Sequence, residues 1–174
     1  DDPEKVGSEQ FGLPVIGPID EALKLTEVGV TIGIAFPKVK RQIFNKLSSN
    51  TSLFYPSLVH KKAWVSRDVT LARGCIIYPG TMVNYGSDIR EFTCINMNCS
   101  LGHHTMVGAF SSLAPGVNTG GHTTIGEAVD MGIGASTVQD VNIGGGSIVG
   151  GQSMVIRDVN AQSTVVGIPA ELIS

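Results

Sequence analysis

The sequence lacks the segments that direct a chain into a membrane or onto nucleic acid. It has no run of about 20 apolar residues that could span a bilayer, and its first residues lack the basic and apolar regions of a signal peptide. Only 16% of the 174 residues are charged, the formal net charge is −3, and no basic stripe is present. We therefore expect a cytoplasmic protein that has no membrane span and does not bind nucleic acid.

Cysteine is also scarce, which argues against a disulfide framework. The chain has three cysteines, at positions 75, 94 and 99, whereas disulfide-stabilised secreted domains carry a dense and usually even set. The small number weakly supports the cytoplasmic expectation.

The chain is instead rich in a six-residue repeat that runs from Val65 to Asn160. Every sixth residue from Val65 is aliphatic or Met in fourteen of sixteen cycles, and the two exceptions are Thr119 and Thr137. The residue four positions later is small or β-branched in every cycle. Eleven charged residues lie between Val65 and Asn160, and none occupies either position. Both positions are therefore expected to face an interior.

A period of six predicts a chain that turns a corner every six residues, because an α-helix repeats every 3.6 residues. Three such hexapeptides close one triangular coil, so residues eighteen apart should stack about 4.8 Å from each other. The sequence predicts a mainly β protein, with a parallel β-helix of about five coils over residues 53–164. The pattern resembles the left-handed β-helix of hexapeptide-repeat acyltransferases, and the handedness is taken from that resemblance.

Residues 1–52 have a different pattern, which favours a partial α/β unit of Rossmann-like type. We predict a strand near Val15, a helix beginning near Asp20, a second strand over Val30 to Ala35 and a second helix from Pro37. Strands that alternate with helices are typical of a parallel sheet. So few strands bury too little surface to stand alone, and we expect further residues to precede Asp1 in a longer protein.

Essentially the whole chain is similar to sialic acid O-acetyltransferases and the related nucleotide-amino-sugar N-acetyltransferases of bacterial glycan biosynthesis. The similarity covers residues 1–35, Phe54-Tyr55-Pro56 with His60, the repeat, and the closing segment 165–174, which we expect to cap the solenoid. It implies acetyl-CoA as co-substrate, a nucleotide sugar or sialic-acid-type acceptor, and no resident metal. It also implies a homotrimer with sites between neighbouring solenoids, and it places Asp1 and Asp2 among the substrate-binding residues.

The stacking rule points to a candidate site at the clustered histidines His103, His104 and His122, which all face away from the interior. His122 should lie one coil above His104, and Gly121 should lie one coil above His103, with Tyr85 below it. A general base beside a backbone N–H donor is what acyl transfer requires. The pattern therefore predicts His103 as the base and Gly121 as the donor to an acyl oxygen.

The family resemblance selects the same base. Its motif of Ile-Asn followed by Gly-His matches residues 95–96 and 102–103, which implies that His103 is the base and that Asn96 holds the acceptor or the acetyl group. Relatives carry Asp or Glu where this chain has His104, which is assigned a supporting catalytic role. The resemblance further implies acetyl-CoA contacts at Ser112, Gly121, Ile133 and Gly151.

Two other functions remain open. A zinc hydratase resembling the γ-class carbonic anhydrases would share the solenoid and bind zinc through three histidines, although the spacing of positions 103, 104 and 122 differs from that family's ligands. A non-catalytic assembly module would need only the solenoid, but it leaves the placement of Asn96, His103 and Gly121 unexplained. We do not expect Cys94 to act as a nucleophile, because the repeat places no histidine beside it.

Overall fold

In the computed structural model, which describes residues 3–173, the repeat forms a parallel β-solenoid of about six turns. Away from the two ends of the solenoid, each strand pairs with the strands eighteen residues before and after it. Ser100 pairs with Met82 and Asn118, and Leu101 pairs with Val83 and Thr119. The predicted eighteen-residue stacking is therefore confirmed, with one turn more than the five expected.

The solenoid has three faces, named here in the order in which the chain meets them. The first face contains the strands Leu58–Val59, Ile76–Ile77, Cys94–Ile95, Ser112–Leu113, Asp130–Met131, Ile148–Val149 and Thr164–Val166. The second face contains Trp64–Val65, Met82–Val83, Ser100–Leu101, Asn118–Thr119, Ser136–Thr137 and Met154–Val155. The third face contains Thr70–Leu71, Asp88–Ile89, Met106–Val107, Thr124–Ile125 and Asn142–Ile143.

The interior of the prism is filled by the residues that the repeat assigns to it. Leu101, Val107 and Leu113 come from three successive faces of one coil, and each is 1% exposed or less. The small or β-branched residues lie inside the corners, where a hydroxyl such as that of Thr81 donates to a backbone carbonyl, here that of Asn96, at 2.7 Å. The charges are kept outside because a closed prism of this width offers them no partner.

Each corner is a four-residue turn whose third residue often has a positive φ. The first corner (78–81, 96–99, 114–117, 132–135, 150–153) follows the first face. The second corner (66–69, 84–87, 102–105, 120–123, 138–141) follows the second face, and the third corner (72–75, 90–93, 108–111, 126–129, 144–147) follows the third face. At the second corner this left-handed residue is Gly86, His104, His122 and Asp140 in successive coils, with φ between 56° and 68°.

The last coil is shorter than the others. Ile143 bridges to Val159 and Val149 pairs with Val165, so the stacking distance along the chain falls from eighteen to sixteen residues. The strand Thr164–Val166 therefore runs across the predicted boundary at residue 164, and Glu171–Leu172 adds an antiparallel strand to it. Within residues 3–173, no helix is long and apolar enough to cross a membrane.

Before the solenoid, helices are present near Asp20 and from Pro37, as predicted, but the predicted parallel strands are not formed within residues 3–173. The described helices are the 3₁₀ segments Pro3–Lys5 and Ile19–Lys24 and the α-helix Pro37–Leu47. The last two begin within one residue of the predicted starts, although the helix near Asp20 is of the 3₁₀ type. In place of parallel strands, Glu9–Gln10 and Leu13–Pro14 form a short antiparallel pair.

Residues 30–35, where a strand was predicted, have no regular secondary structure and do not belong to a sheet. Their neighbourhood holds one isolated bridge, between Gly29 and Phe54. The Val30 N–H donates to the Phe54 carbonyl at 2.9 Å. A strand needs partners for successive N–H and C=O groups, and within residues 3–173 no strand lies beside residues 31–35. The predicted Rossmann-like unit is therefore not formed by the described residues.

The α-helix Pro37–Leu47 lies against the first face and covers it with an aromatic cluster. Phe44 packs against Tyr55, Phe92 and Phe110 with ring centroids 4.5–5.7 Å apart. Phe92 and Phe110 stack on each other at the third corner, at 5.2 Å. This contact orients the N-terminal segment on the solenoid and leaves the second face and the second corner uncovered by it.

Candidate active site

The second corner brings His103, His104 and His122 into contact. His104 and His122 occupy the same turn position in neighbouring coils, and their rings stack in parallel with centroids 4.7 Å apart. The ring of His103 is perpendicular to both, and its Nδ1 lies 3.0 Å from Nδ1 of His104. His103 is half-buried, while His104 and His122 are exposed. The cluster is therefore open to a ligand from solvent.

Gly121 lies directly against the ring of His103, as the eighteen-residue register predicts. A methyl group at position 121 would be 2.7 Å from Nε2 of His103, so only glycine leaves room for the ring. The Gly121 carbonyl accepts a hydrogen bond from the Asp140 N–H, but within residues 3–173 no group accepts the Gly121 N–H. A free amide donor therefore lies beside an imidazole nitrogen.

The contact between His103 and His104 determines which nitrogen of His103 can act as a base. Two imidazole nitrogens 3.0 Å apart share one proton in a hydrogen bond. When Nδ1 of His103 carries that proton and donates it to Nδ1 of His104, Nε2 of His103 is left unprotonated. Nε2 is the atom that a methyl group at position 121 would approach most closely. In that tautomer His104 accepts from His103, as a carboxylate does beside other histidine bases.

The coil below supports the two rings. Tyr85 stacks under His103 with centroids 5.7 Å apart and contacts His104 edge to face. Gly86 lies under His104, where a side chain would be only 2.6 Å from the imidazole ring. The Gly86 N–H donates to Asp68 at 2.9 Å, and the pKa of Asp68 is lowered chiefly by the Ser66 hydroxyl and then by this amide. An anionic carboxylate therefore lies on the same corner as the histidines.

Asn96 is not brought to His103 within one chain. It lies on the first corner, where its Oδ1 accepts the N–H of Met97 at 2.8 Å. His103 lies on the second corner, and the strand Ser100–Leu101 of the second face lies between the two corners. Their closeness in sequence therefore does not make them neighbours in space.

The predicted acetyl-CoA contacts fall on different parts of the solenoid. Gly121 is at the second corner, whereas Ile133 and Gly151 stack in consecutive coils at the first corner, and Ile133 is exposed. Ser112 is buried on the first face, where its hydroxyl donates to the Ala35 carbonyl and accepts from Lys40. Its side chain is thus occupied by the N-terminal segment, and its assignment stays a prediction that this geometry does not support. Asp1 and Asp2 lie outside the described residues.

The three histidines could also hold a metal ion. One nitrogen from each ring lies within 4.8 Å of the other two. A tetrahedral zinc ion with Zn–N bonds of about 2.0–2.1 Å places its ligand nitrogens about 3.4 Å apart. The pair His103 and His104 is close to that distance, but the parallel rings of His104 and His122 would have to tilt toward each other.

Cys94 is placed in a structural role. It is buried on the first face beneath the α-helix Pro37–Leu47, and burial raises the pKa of its thiol. A protonated, inaccessible thiol is a poor nucleophile.

Several solved structures are similar to this chain over nearly its whole length. PerB from Caulobacter crescentus, solved in complex with CoA and GDP-perosamine, is 26% identical, and the match covers 94% of this chain and 80% of PerB with a TM-score of 0.91. A GDP-perosamine N-acetyltransferase from the same organism, with one histidine replaced by alanine, is 25% identical over 94% of this chain and 79% of its own, with a TM-score of 0.89.

The acetyltransferase domain of PglB from Neisseria gonorrhoeae shares the fold, with 24% identity over 99% of this chain and 84% of that domain and a TM-score of 0.78. No protein-family model and no curated protein sequence matches the chain. The structural neighbours are hexapeptide-repeat acetyltransferases of the nucleotide-amino-sugar type, which confirms the resemblance inferred from the sequence of essentially the whole chain. The match to PerB also confirms the left-handed β-helix.

Proposed function

We propose that the protein transfers an acetyl group from acetyl-CoA to the amino group of a nucleotide-linked sugar, with His103 as the general base. The observation that carries this proposal is the close approach of Nε2 of His103 to Gly121, whose N–H has no acceptor among residues 3–173. A base and an oxyanion donor on one exposed corner are the two groups that attack on a thioester requires.

In the proposed reaction, Nε2 of His103 takes a proton from the sugar amine as its nitrogen attacks the thioester carbonyl. The Gly121 N–H donates to the oxygen that becomes negative in the tetrahedral intermediate. The C–S bond then breaks, and the imidazolium returns the proton to the departing CoA thiolate. His104 accepts the Nδ1–H of His103 throughout, which keeps Nε2 directed at the substrate. The protein forms no covalent intermediate.

Similarity to PerB supports the choice of substrates. That protein was solved with CoA and GDP-perosamine, and it matches this chain at a TM-score of 0.91. Perosamine carries an amine, so we place an amino sugar ahead of a sialic acid hydroxyl as the acceptor. The identity of the nucleotide is left to experiment.

We propose that the active unit is a homotrimer. Asn96, Ile133 and Gly151 lie at the first corner and His103 with Gly121 at the second, so one chain does not assemble them. A second solenoid placed beside the first would bring one first corner against one second corner. The exposed apolar side chains of the second face, Trp64 and Met82, support its burial by another subunit.

We also propose that residues 1–52 are part of a larger nucleotide-sugar-binding unit and that the protein is cytoplasmic. Residues 31–34 have no strand beside them in the described structure, and they border an open apolar cleft of about 340 Å³ lined by Ile19, Ile43 and Leu47. An unpaired segment beside an apolar cleft can accept a neighbouring strand. The cytoplasmic location rests on the availability of acetyl-CoA to such an enzyme.

The test is to incubate the purified protein with acetyl-CoA and a panel of GDP-, UDP- and dTDP-linked amino sugars. We expect release of free CoA thiol that depends on one of these sugars, and a gain of one acetyl group on that sugar by mass spectrometry. Hydroxyl sugars without an amine are the matched controls. Thiol release that is equal with and without every sugar would contradict the proposal.

The grouping of three histidine nitrogens within 4.8 Å favours one second candidate, a zinc hydratase. This function predicts stoichiometric zinc in the purified protein and CO₂ hydration that a chelator abolishes. Sugar-dependent acetyl transfer that persists after chelation would decide for the transferase.

A further inference from the structure

The two exceptions to the aliphatic pattern, Thr119 and Thr137, lie in consecutive coils on the inner side of the solenoid wall, next to the second corner that carries the histidines. Both side chains point into the prism and are at most 9% exposed. A hydroxyl in an apolar core is costly unless it is hydrogen-bonded. The hydrogen-bond partners of the two hydroxyls therefore indicate why threonine, and not valine, occupies these positions.

Thr119 closes a ring of hydrogen bonds around Gly102, the residue before His103. The Gly102 N–H donates to Oγ1 of Thr119 at 3.1 Å, in addition to its bond to the Thr119 carbonyl. Oγ1 of Thr105 donates to the Gly102 carbonyl at 2.7 Å, so its proton is used there. The 3.1 Å contact between the two hydroxyls must then run from Thr119 to Thr105. Both polar groups of Gly102 are thereby clamped.

Thr137 repeats the same ring one coil higher, around Gly120, the residue before Gly121. The Gly120 N–H donates to Oγ1 of Thr137 at 3.2 Å. Oγ1 of Thr123 donates to the Gly120 carbonyl at 2.9 Å and lies 3.0 Å from the Thr137 hydroxyl. Chains of hydrogen bonds of this kind reinforce one another in a medium of low dielectric constant.

The rings are not required to build the second corner. One coil lower, Leu101 occupies the position of Thr119, and the turn that begins at Asn84 is formed with the Ser87 hydroxyl but without a second hydroxyl that could close a ring. Thr119 and Thr137 thus place hydroxyls on the inner side of the two turns that carry the base, His103, and the amide donor, Gly121. A purely structural explanation would have no reason to select these two coils.

We infer that Thr119 and Thr137 are positioning residues. Thr119 holds the peptide unit that leads into His103, and Thr137 holds the one that leads into Gly121, so that imidazole and amide face one acyl group. The catalytic consequence rests on the proposed function. The effect on the orientation of the His103 imidazole does not depend on the proposed function, and it can be measured separately.

The experiment compares Thr119→Val and Thr137→Val with Thr119→Ser and with the matched control Thr93→Val. Thr93 is a buried threonine at the third corner whose hydroxyl donates to the Arg90 carbonyl at 2.8 Å, away from the histidines. Displacement of a catalytic group by a fraction of an ångström to 1 Å costs up to about 10²-fold. We expect each second-corner valine variant to lower kcat by about tenfold or more with KM little changed, and Thr119→Ser to restore most of the loss.

The second measurement uses ¹⁵N spectra of the histidine side chains, which report which nitrogen of His103 carries the proton. In Thr119→Val the proportion of His103 protonated at Nδ1 should fall, while Thr93→Val should match the wild type. Equal spectra and equal kcat in Thr119→Val and Thr93→Val would overturn the inference. If the wild type proves to have no acetyltransferase activity, the proposed function fails, and the spectra alone still decide whether Thr119 positions His103.

Discussion

At the scale of single residues, the candidate site depends on a backbone conformation that histidine rarely adopts. His104 and His122 have φ of 56° and 57°, a region in which most side chains are disfavoured and Asn, Asp and His are relatively enriched. Because each coil repeats the turn, two histidines at this position must stack at the spacing of the coils. The stacking of these two rings thus follows from the eighteen-residue period. His103 lies beside the stack, and its Nε2 faces Gly121.

Replacement of His103 by alanine should reduce turnover and leave binding nearly intact. General-base catalysis contributes about 10²–10⁴-fold, so kcat should fall within that range while the affinity for acetyl-CoA changes little. His104→Ala should cost less, because His104 only orients its neighbour. Steady-state kinetics with calorimetric titration of acetyl-CoA provide the measurement. A His103→Ala enzyme that retains more than about a tenth of kcat, with chemistry rate-limiting, would mean that another residue is the base.

Gly121→Ala should impair catalysis by displacing the His103 ring, because the new methyl group would lie 2.7 Å from Nε2. Gly121 does not have a positive φ, so the backbone accepts alanine without strain. We expect kcat to fall by about tenfold or more with little change in Tm. Gly145→Ala is the matched control, since Gly145 has the same turn position at the third corner and its methyl group would meet the Glu127 carbonyl oxygen at 3.1 Å. Equal effects of the two substitutions would contradict the argument.

At the scale of single elements, most strands are two residues long and derive their stability from the stack above and below. Leu101 is 1% exposed, so an aspartate in its place would be a charge without a partner between two coils. We predict that Leu101→Asp destabilises the fold by more than about 4 kcal/mol, which thermal or urea unfolding would measure. Met106→Asp, on the exposed side of the next strand, should change stability little. An unchanged Tm for Leu101→Asp would mean that the assigned register is incorrect.

The α-helix Pro37–Leu47 carries a buried lysine into its contact with the first face. Lys40 is 1% exposed and donates to the Ser111 carbonyl at 3.2 Å and to the Ser112 hydroxyl at 3.0 Å. Burial lowers the pKa of Lys40 from 10.5 to about 8. Between these two values the unfolded chain binds more protons than the folded protein, so the Lys40 contribution to stability increases as the pH rises.

Lys40→Met should remove this pH dependence. From pH 7 to pH 9 the wild type should gain about 1 kcal/mol of stability relative to the variant, because one pKa unit corresponds to about 1.4 kcal/mol. The comparison stops at pH 9, because burial raises the pKa of the Cys75 and Cys99 thiols to about 11 and this destabilises the folded state at higher pH. Urea unfolding at both pH values would measure the effect, with the exposed Lys38→Met as control. Parallel pH profiles for wild type and Lys40→Met would disprove it.

At the scale of the whole molecule, the repeat was sufficient to predict the solenoid, its inward residues and the contact between His103 and Gly121. These features depend only on a period that the sequence displays directly. The N-terminal strands were not predictable in the same way, since a segment such as residues 31–34 becomes a strand only when a partner lies beside it. The burial of Ser112 was likewise missed, because it depends on where Lys40 and Ala35 are placed by a helix distant in sequence.

The division of the candidate residues between two corners makes a prediction about assembly. One chain has a mass of 18.2 kDa, and we expect light scattering or sedimentation to report a trimer of about 55 kDa. Trp64 and Met82 are each at least 50% exposed on the second face, and a charge at Met82 should weaken the assembly if this face is buried between subunits. A fully active monomer would contradict the proposal.

The same division can be tested by mixing subunits. If each site takes His103 from one subunit and Asn96 from its neighbour, His103→Ala and Asn96→Ala should each give a nearly inactive trimer. Unfolding and refolding an equal mixture would create sites in which an intact His103 meets an intact Asn96. Random assembly makes about one site in four of this kind, so about a quarter of the wild-type activity should return. If both groups acted within one chain, every subunit of the mixture would still lack one of them, and refolding would restore nothing.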